Sequence, residues 1–519
     1  MVPLMSYLRA WLITASVADA ALLPLESRQT SSTITSTGNP ILADGSIYSA
    51  DPAPLVVNDT VYILAGRDEA GPAENSFRMN QWQIFESKTA TPSGGQWTLH
   101  QNVAGPQTVF KWASQGTAYA SQIVRGPDGR YYLYAPVTQA SSPSSDPFAI
   151  GVAVSSSPLG PFTDAHPSGP IISQSVPVQN NIQNIDPTVL VDTDGRVYLY
   201  WGTFGQLKGV ELDTDMITVK SDTIVAVNSL SGFFEAPWLM KRKDTYYMLY
   251  AGNNAGPDSP CTPTSYHACI AYGTASSPLG PWTYRGTALD IVSSTTSHPG
   301  VFEQPAGSGK YFLVYHTRDA AGGTHFRRSV ALDQLDWDDT TTPPSIEKVT
   351  PTRRPGPPRT PTRNIAPAAA PSSANGTPVQ YWVKAINDER VEANPLPPDY
   401  WSSWAERSPS NNTLTYAWDT TVQLSGAAVA FFADSPAGAT AGVAPPASWW
   451  VEYLTDGGQW ARVANSTAFS TAVTDSPAET NFTTVSTRSI RAILNPSGRS
   501  GAYAAVGVKE WFAYQPTAS

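Results

Sequence analysis

Three acidic residues, Asp51, Asp186 and Glu235, hold one position in a repeated pattern. Five segments share a plan: TVYILAG (60–66), RYYLYAP (130–136), RVYLYWG (196–202), TYYMLYAG (245–252) and KYFLVYH (310–316). Counting back from the aromatic residue of each (Tyr62, Tyr132, Tyr198, Tyr247 and Phe312) to the start of the preceding apolar run takes 11, 11, 12, 12 and 14 residues. The count lands on Asp51, Ser121, Asp186, Glu235 and His298. Converging carboxylates repel one another, so the arrangement needs a chemical reason. One reason is acid–base hydrolysis of a glycosidic bond with inversion: a carboxylic acid protonates the leaving oxygen and a carboxylate deprotonates the attacking water. A third carboxylate beside the acid raises its pKa, because like charges disfavour ionisation. A single Asp-Pro at a strand start is ordinary turn chemistry. Recurrence at equivalent repeat positions favours the catalytic reading.

Such convergence requires elements that bring distant segments to one point. The five runs are rich in aromatic and β-branched residues, as strands are. Their aromatic residues lie 70, 66, 49 and 65 residues apart, which is the spacing of propeller blades. Asp128-Gly129 and Asp194-Gly195 are hairpin turns in which both positions tolerate positive φ. SSPLGP recurs in GVAVSSSPLGPFT (151–163) and AYGTASSPLGPWT (271–283), marking a third strand and its turn. The pattern implies a five-bladed β-propeller with four-stranded blades over residues 39–351, whose innermost strands all start at one mouth of the channel. A Pro- and Arg-rich linker, 352–363, follows. Residues 364–519 lack the blade pattern but hold eight of the sixteen Trp. The alternation in SWWVEYL and STRSIRAIL implies an all-β, jelly-roll-like β-sandwich there.

The wider composition sets limits. A net charge of −10 and an isoelectric point near 5.1 argue against nucleic acid, which needs a basic footprint. Residues 1–20 read as a signal peptide, with Arg9 before an apolar stretch and Ala18-Asp19-Ala20 as a small-residue cleavage site. That leaves 21–38 as a short N-terminal segment. The apolar stretch is too short to span a bilayer, and no later segment suits a membrane. Sequons at Asn58, Asn375, Asn411, Asn465 and Asn481 fit export, as does a disulfide between Cys261 and Cys269, the only cysteines. A secreted, extracellular monomer is expected.

The segments ADPAP (50–54), IDPTVL (185–190) and FEAPWL (234–239) resemble the three catalytic segments of glycoside hydrolase family 43. The resemblance spans residues 39–351 and implies a five-bladed propeller that hydrolyses glycosides with inversion. It casts Asp51 as the general base, Glu235 as the general acid and Asp186 as the group that tunes and holds the acid. His298, in TSHPGVFE, resembles the family's channel histidine, which orients a bound calcium or its waters; a structural calcium in the channel is therefore an option, with no other metal or cofactor expected. HFRRSV (325–330) resembles the family's arginine strand, where alternation lets one of Arg327 and Arg328 face the site; Arg328 shares parity with Val330 and Leu332. Many members carry Trp-Ala-Pro in the second blade, where this chain reads TAYASQIV, leaving sugar stacking to Tyr119 and Trp112. Phe234 is a second stacking candidate, whereas Trp201 and Trp238 read as core. NIAPAAAPSS and AINDE in the C-terminal region resemble galactose-binding-like modules, so this domain is a candidate carbohydrate-binding module, with a purely structural sandwich as the other reading.

The leading expectation is an α-L-arabinofuranosidase acting on arabinoxylan or arabinan of the plant cell wall. A β-xylosidase is the nearest alternative, because the two sugars present similar hydroxyls. An endo-arabinanase or exo-β-1,3-galactanase is a further alternative, the latter disfavoured by an aspartate at the base position. A non-catalytic carbohydrate-binding propeller would require the carboxylates to be structural.

Overall fold

The computed structural model describes residues 29–252, 261, 268–292, 296–352, 363–378, 381–396, 399–404, 411–435, 442–474, 476–497 and 504–516. The signal-peptide and linker readings fall on residues 1–20 and 352–363, of which only 352 and 363 are described.

Five antiparallel sheets form the blades. The first holds Ala50–Val57, Thr60–Gly66, Trp82–Ser87 and Gly95–Ala104, from the channel outward. The second holds Gln122–Arg125, Tyr131–Thr138, Phe148–Ser155 and Thr163–Asp164, and the third Thr188–Val191, Val197–Trp201, Leu207–Leu212 and Val225–Val227. Phe233–Arg242, Thr245–Gly252, Cys269–Ala275 and Thr283–Leu289 make the fourth. Gly300–Glu303, Tyr311–Thr317 and Ser329–Leu335 make the fifth.

Two details depart from the expected four-stranded plan. Thr30–Ser36, expected outside the propeller, pairs with Gly95–Ala104 and adds a fifth strand to the first blade. The fifth sheet has three strands, and residues 39–49 lie along its open edge. Ile41 N–H donates to Val330 O, Ser49 N–H to Arg328 O, and the Asn39 amide to Leu332 O. The start of the propeller thereby satisfies the edge of its last blade, which ties the ring shut.

The inner strands are apolar on both faces because each blade is packed on both sides. Side chains alternate along a strand. In the third blade Val197, Leu199 and Trp201 join a cluster with Tyr132, Tyr134 and Val152 of the second. Tyr198 and Tyr200 join one with Met248, Tyr250 and Ala271 of the fourth. Three further clusters fill the spaces between blades one and two, four and five, and five and one. Each large side chain so buried contributes about 1.5–3 kcal/mol.

The SSPLGP repeats form matching turns, in which Gly160 (φ 80°) and Gly280 (φ 91°) adopt the left-handed conformation and donate to Ser157 and Ser277. Cys261 and Cys269 form a disulfide. The C-terminal sheets are built on two long strands, Asn412–Phe432 and Ala478–Asn495. Register shifts at Ala417/Val422 and Leu424/Gly426 bend the first strand, so that it pairs with Ala478–Asn495 and, toward its end, with Ala505–Tyr514. Their core contains Trp401, Trp449, Trp511 and Tyr416, the last stacked on Trp511 at 4.1 Å.

Candidate active site

The blade-opening residues depart from regular strand geometry where the chemistry would sit. Asp51 and Asp186 have φ of 56° and 54°, Ala236 after Glu235 has 56°, and Ser297 and His298 have 64° and 41°. The left-handed region is unfavourable for residues with a Cβ, and such strain persists where the surroundings impose it. The ladders are broken at the same points, between Ala50 and Ala53 and on both sides of Glu235. A bulge re-aims a side chain that a regular strand would direct between blades.

Asp51 is buried, and its Oδ1 accepts from Arg328 Nη1 at 2.9 Å. His316 Nδ1 lies 3.3 Å and His298 Nδ1 3.7 Å from the same oxygen. Burial opposes ionisation of Asp51, but the Arg328 guanidinium outweighs it and holds the carboxyl below its ordinary range. Asp51 N–H donates to His316 Nδ1, which assigns the imidazole proton to Nε2. Burial pushes both histidines down to about 4, so they are neutral at ordinary pH.

Asp186 and Glu235 are both raised, first by burial; Asp186 feels Glu235 and Asp51, and Glu235 feels Asp51. Asp186 Oδ2 accepts from Ala236 N–H at 3.0 Å, which favours its charged form. Glu235 Oε2 accepts from Thr203 Oγ1 at 2.8 Å, and Thr296 also bonds this carboxyl. Both hydroxyl bonds favour the charged form of Glu235, against the desolvation that raises its pKa. Desolvation and the neighbouring negative charges make this pair of carboxyls hard to ionise together. The site thus combines a carboxylate fixed by a guanidinium with a pair of carboxyls that desolvation makes harder to ionise, a contrast that acid–base hydrolysis can use.

Arg328 faces the site. Its Nε and Nη2 lie 2.9 and 3.0 Å from Asp68, and its guanidinium lies 4.8 Å from the centre of the Phe77 ring. Arg327 points the other way, onto the Tyr48 ring at 5.4 Å. Tyr119 stacks on Phe148 and donates its hydroxyl to Phe77 O; burial, with Asp51 and Asp68 nearby, raises its phenol to about 12. Trp112 is not brought to this cluster. It packs on Phe110 and donates to Asp164 on the outermost strand of the second blade, so its indole is used within that blade. Phe234 meets exposed Phe204 edge to face at 5.7 Å, in the loop that supplies Thr203. Trp201 and Trp238 are core residues.

Asp68, Thr203 and His316 escaped the sequence reading, yet their positions share a rule. Each lies at or just beyond the end of the second strand of a blade, and in an antiparallel hairpin that end returns to the mouth where the first strand begins. His316 also stands where the other four repeats close on Gly or Pro.

Calcium prefers six to eight oxygen ligands. Asp51 is already paired with a guanidinium, and His316 presents at Nε2 a buried N–H without a partner, which is a donor and not a ligand. No group of three or more His, Cys, Asp or Glu among the described residues could hold a metal ion.

A family model for glycosyl hydrolases family 43 matches residues 37–343. A xylosidase/arabinosidase of Bacteroides ovatus is 28% identical over 334 residues, covering 56% of this chain and 92% of the relative. An arabinoxylan arabinofuranohydrolase of Bacillus subtilis is 30% identical over 312 residues, covering 52% of this chain and 56% of the relative. Among solved structures, a family 43 β-xylosidase/α-arabinofuranosidase from a compost microbial metagenome aligns over 62% of this chain and all of its own, with 24% identity and a TM-score of 0.49. The chain, whose matched region is the propeller that carries Asp51, Asp186 and Glu235, belongs to glycosyl hydrolase family 43.

Proposed function

We propose that this inverting glycoside hydrolase is secreted and releases α-L-arabinofuranosyl residues from arabinoxylan or arabinan. The observation that carries the reading is the pairing of a buried carboxylate fixed by Arg328 with the half-buried Glu235, whose pKa desolvation raises, at one end of the channel. Asp51 takes a proton from water as the oxygen attacks the anomeric carbon. Glu235 gives its proton to the departing glycosidic oxygen as the bond breaks, and Asp186 keeps Glu235 protonated until then. The two carboxyls exchange protons with solvent before the next turnover. The arabinoxylan arabinofuranohydrolase of B. subtilis supports the substrate class, and the exposure of all five sequon asparagines supports secretion. The xylosidase/arabinosidase of B. ovatus favours β-xylosidase as the second reading.

The test is hydrolysis of 4-nitrophenyl α-L-arabinofuranoside and β-D-xyloside by the wild type, Asp51→Asn and Glu235→Gln. Preference for the arabinofuranoside, abolished by Asp51→Asn, is the expected result. Preference for the xyloside would replace the first reading by the second. Cleavage that survives both substitutions would sink the assignment of roles.

A further inference from the structure

A buried arginine outside the triad joins the propeller to the sandwich. Arg318 directly follows the second strand of blade five, two residues beyond His316, and its side chain is 2% exposed. Its three ion-pair partners all come from the sandwich: Asp388 at 2.6 Å, Glu392 at 3.8 Å, and Asp399 in a short ion pair. The sandwich answers with its own arginine. Arg390 Nη1 donates to the carbonyls of Arg318 and Gly323 at 2.7 and 3.3 Å, and Nη2 reaches Asp319 at 3.1 Å. A second propeller loop is held as well, since the Asn394 amide donates to Ala73 O at 3.0 Å.

The two loops so held build the seat of Arg328. One runs from Arg318 through the Thr324–Arg327 backbone pair to Arg328 itself. The other carries Asp68 and Phe77. Phe77 locks them together by packing on Phe326 at 4.7 Å and His325 at 5.5 Å. A charged cluster buried this deeply costs desolvation, and replacing it with apolar residues is often neutral for stability. Its retention here suits a demand for geometry.

We propose that the C-terminal sandwich is a working part of the active site, with Arg318 and Arg390 as positioning residues that staple these two loops so that Arg328 stays seated between Asp51 and Asp68. The proposal rests on the reading of Asp51 as base. Asp51 is faced by Arg328, His316 and His298, with Asp186, Glu235 and Tyr119 also interacting with it. Loosening Arg328 therefore weakens the dominant positive neighbour.

The experiment records kcat/KM against pH on the preferred nitrophenyl glycoside, per folded full-length enzyme, for the wild type, Arg390→Ala, Arg318→Met, Val451→Ala and Asp51→Asn. Arg390→Ala removes the milder half of the clamp and serves where Arg318→Met fails to fold. The clamp variants are expected to lose about ten- to a hundredfold and to move the acid limb to higher pH. Val451→Ala opens a cavity in the sandwich core away from the clamp; it is expected to lower Tm and leave the limb in place. Clamp variants with an unmoved acid limb beside an inactive Asp51→Asn overturn the proposal alone. A limb that moves equally in Val451→Ala also overturns it, as the effect is then generic destabilisation. If Asp51→Asn keeps wild-type activity, the base reading fails first and the proposal falls with it.

Discussion

Replacing Arg328 by Met removes the one guanidinium between two buried aspartates while leaving an apolar chain beside Met79 and Phe77. Arg328 lies 2.9 Å from Asp51 and 2.9 Å from Asp68. At an effective dielectric of about 20, one such pair is worth about 6 kcal/mol of Coulomb energy. Removing one partner of a buried pair costs about 3–5 kcal/mol, because the other charge is left uncompensated. The variant can lower that cost by taking up a proton, and this sets the sign of the effect. In the wild type the folded pKa of Asp51 is below its unfolded value. Its contribution to stability is therefore present above the unfolded pKa and lost as pH falls through the folded one. Without Arg328, burial dominates and the folded pKa moves above the unfolded value, so the protonated form stabilises at low pH and the benefit is lost as pH rises. Arg328→Met is therefore expected to lose most stability near neutral pH, with the gap to wild type narrowing in acid. Activity should fall by about a hundred- to ten-thousandfold where the base is protonated and recover in part toward alkaline pH. The assays are thermal unfolding and kcat/KM across pH. A stability loss independent of pH, together with an unmoved acid limb, would refute this account of how Asp51 is kept ionised.

Thr203→Val removes the 2.8 Å bond to Glu235, and that bond favours the charged carboxylate. The variant's basic limb of kcat/KM is expected at higher pH, with Thr203→Ser restoring it; a limb in the same place in both would separate Thr203 from the acid. Replacing Cys261 and Cys269 by Ser opens an eight-residue loop and is expected to cost about 2–3 kcal/mol in thermal unfolding. Kinetics per folded enzyme should be unchanged, and a loss of kcat at full folding would tie this loop to the site.

The propeller was readable because its signal is repeated. Tyr62, Tyr132, Tyr198, Tyr247 and Phe312 mark one strand five times, and the blade-opening residues inherit a shared position from that register. The residues that complete the site were not readable by the same count, because Asp68 and Thr203 lie past the ends of strands, where loop lengths differ from blade to blade. Strand alternation left Arg327 and Arg328 both open, and the structure turns Arg328 toward Asp51, with Asp68 as the partner that fixes it. Trp112 shows the opposite limit. An aromatic residue near a sugar-cleaving site reads as a stacking surface, but its indole has a partner in its own blade. The C-terminal strands were visible as alternation in SWWVEYL and STRSIRAIL, whereas the cluster around Arg318 joins residues up to 81 positions apart and has no local pattern. The segment AINDE, noticed for its resemblance to galactose-binding-like modules, supplies Asp388 to that cluster.

The division of labour among the three carboxyls is tested most directly by the dependence of kcat/KM on leaving-group pKa. A series of aryl glycosides of the preferred sugar would be measured with the wild type, Glu235→Gln, Asp186→Asn and Asp51→Asn. A general acid protonates the leaving oxygen, so its loss matters most for poor leaving groups. The account predicts a shallow dependence for the wild type and for Asp51→Asn, at a much lower level in the latter, and a steep dependence for Glu235→Gln. A shallow dependence in Glu235→Gln with a steep one in Asp186→Asn would contradict it, placing the catalytic proton on Asp186.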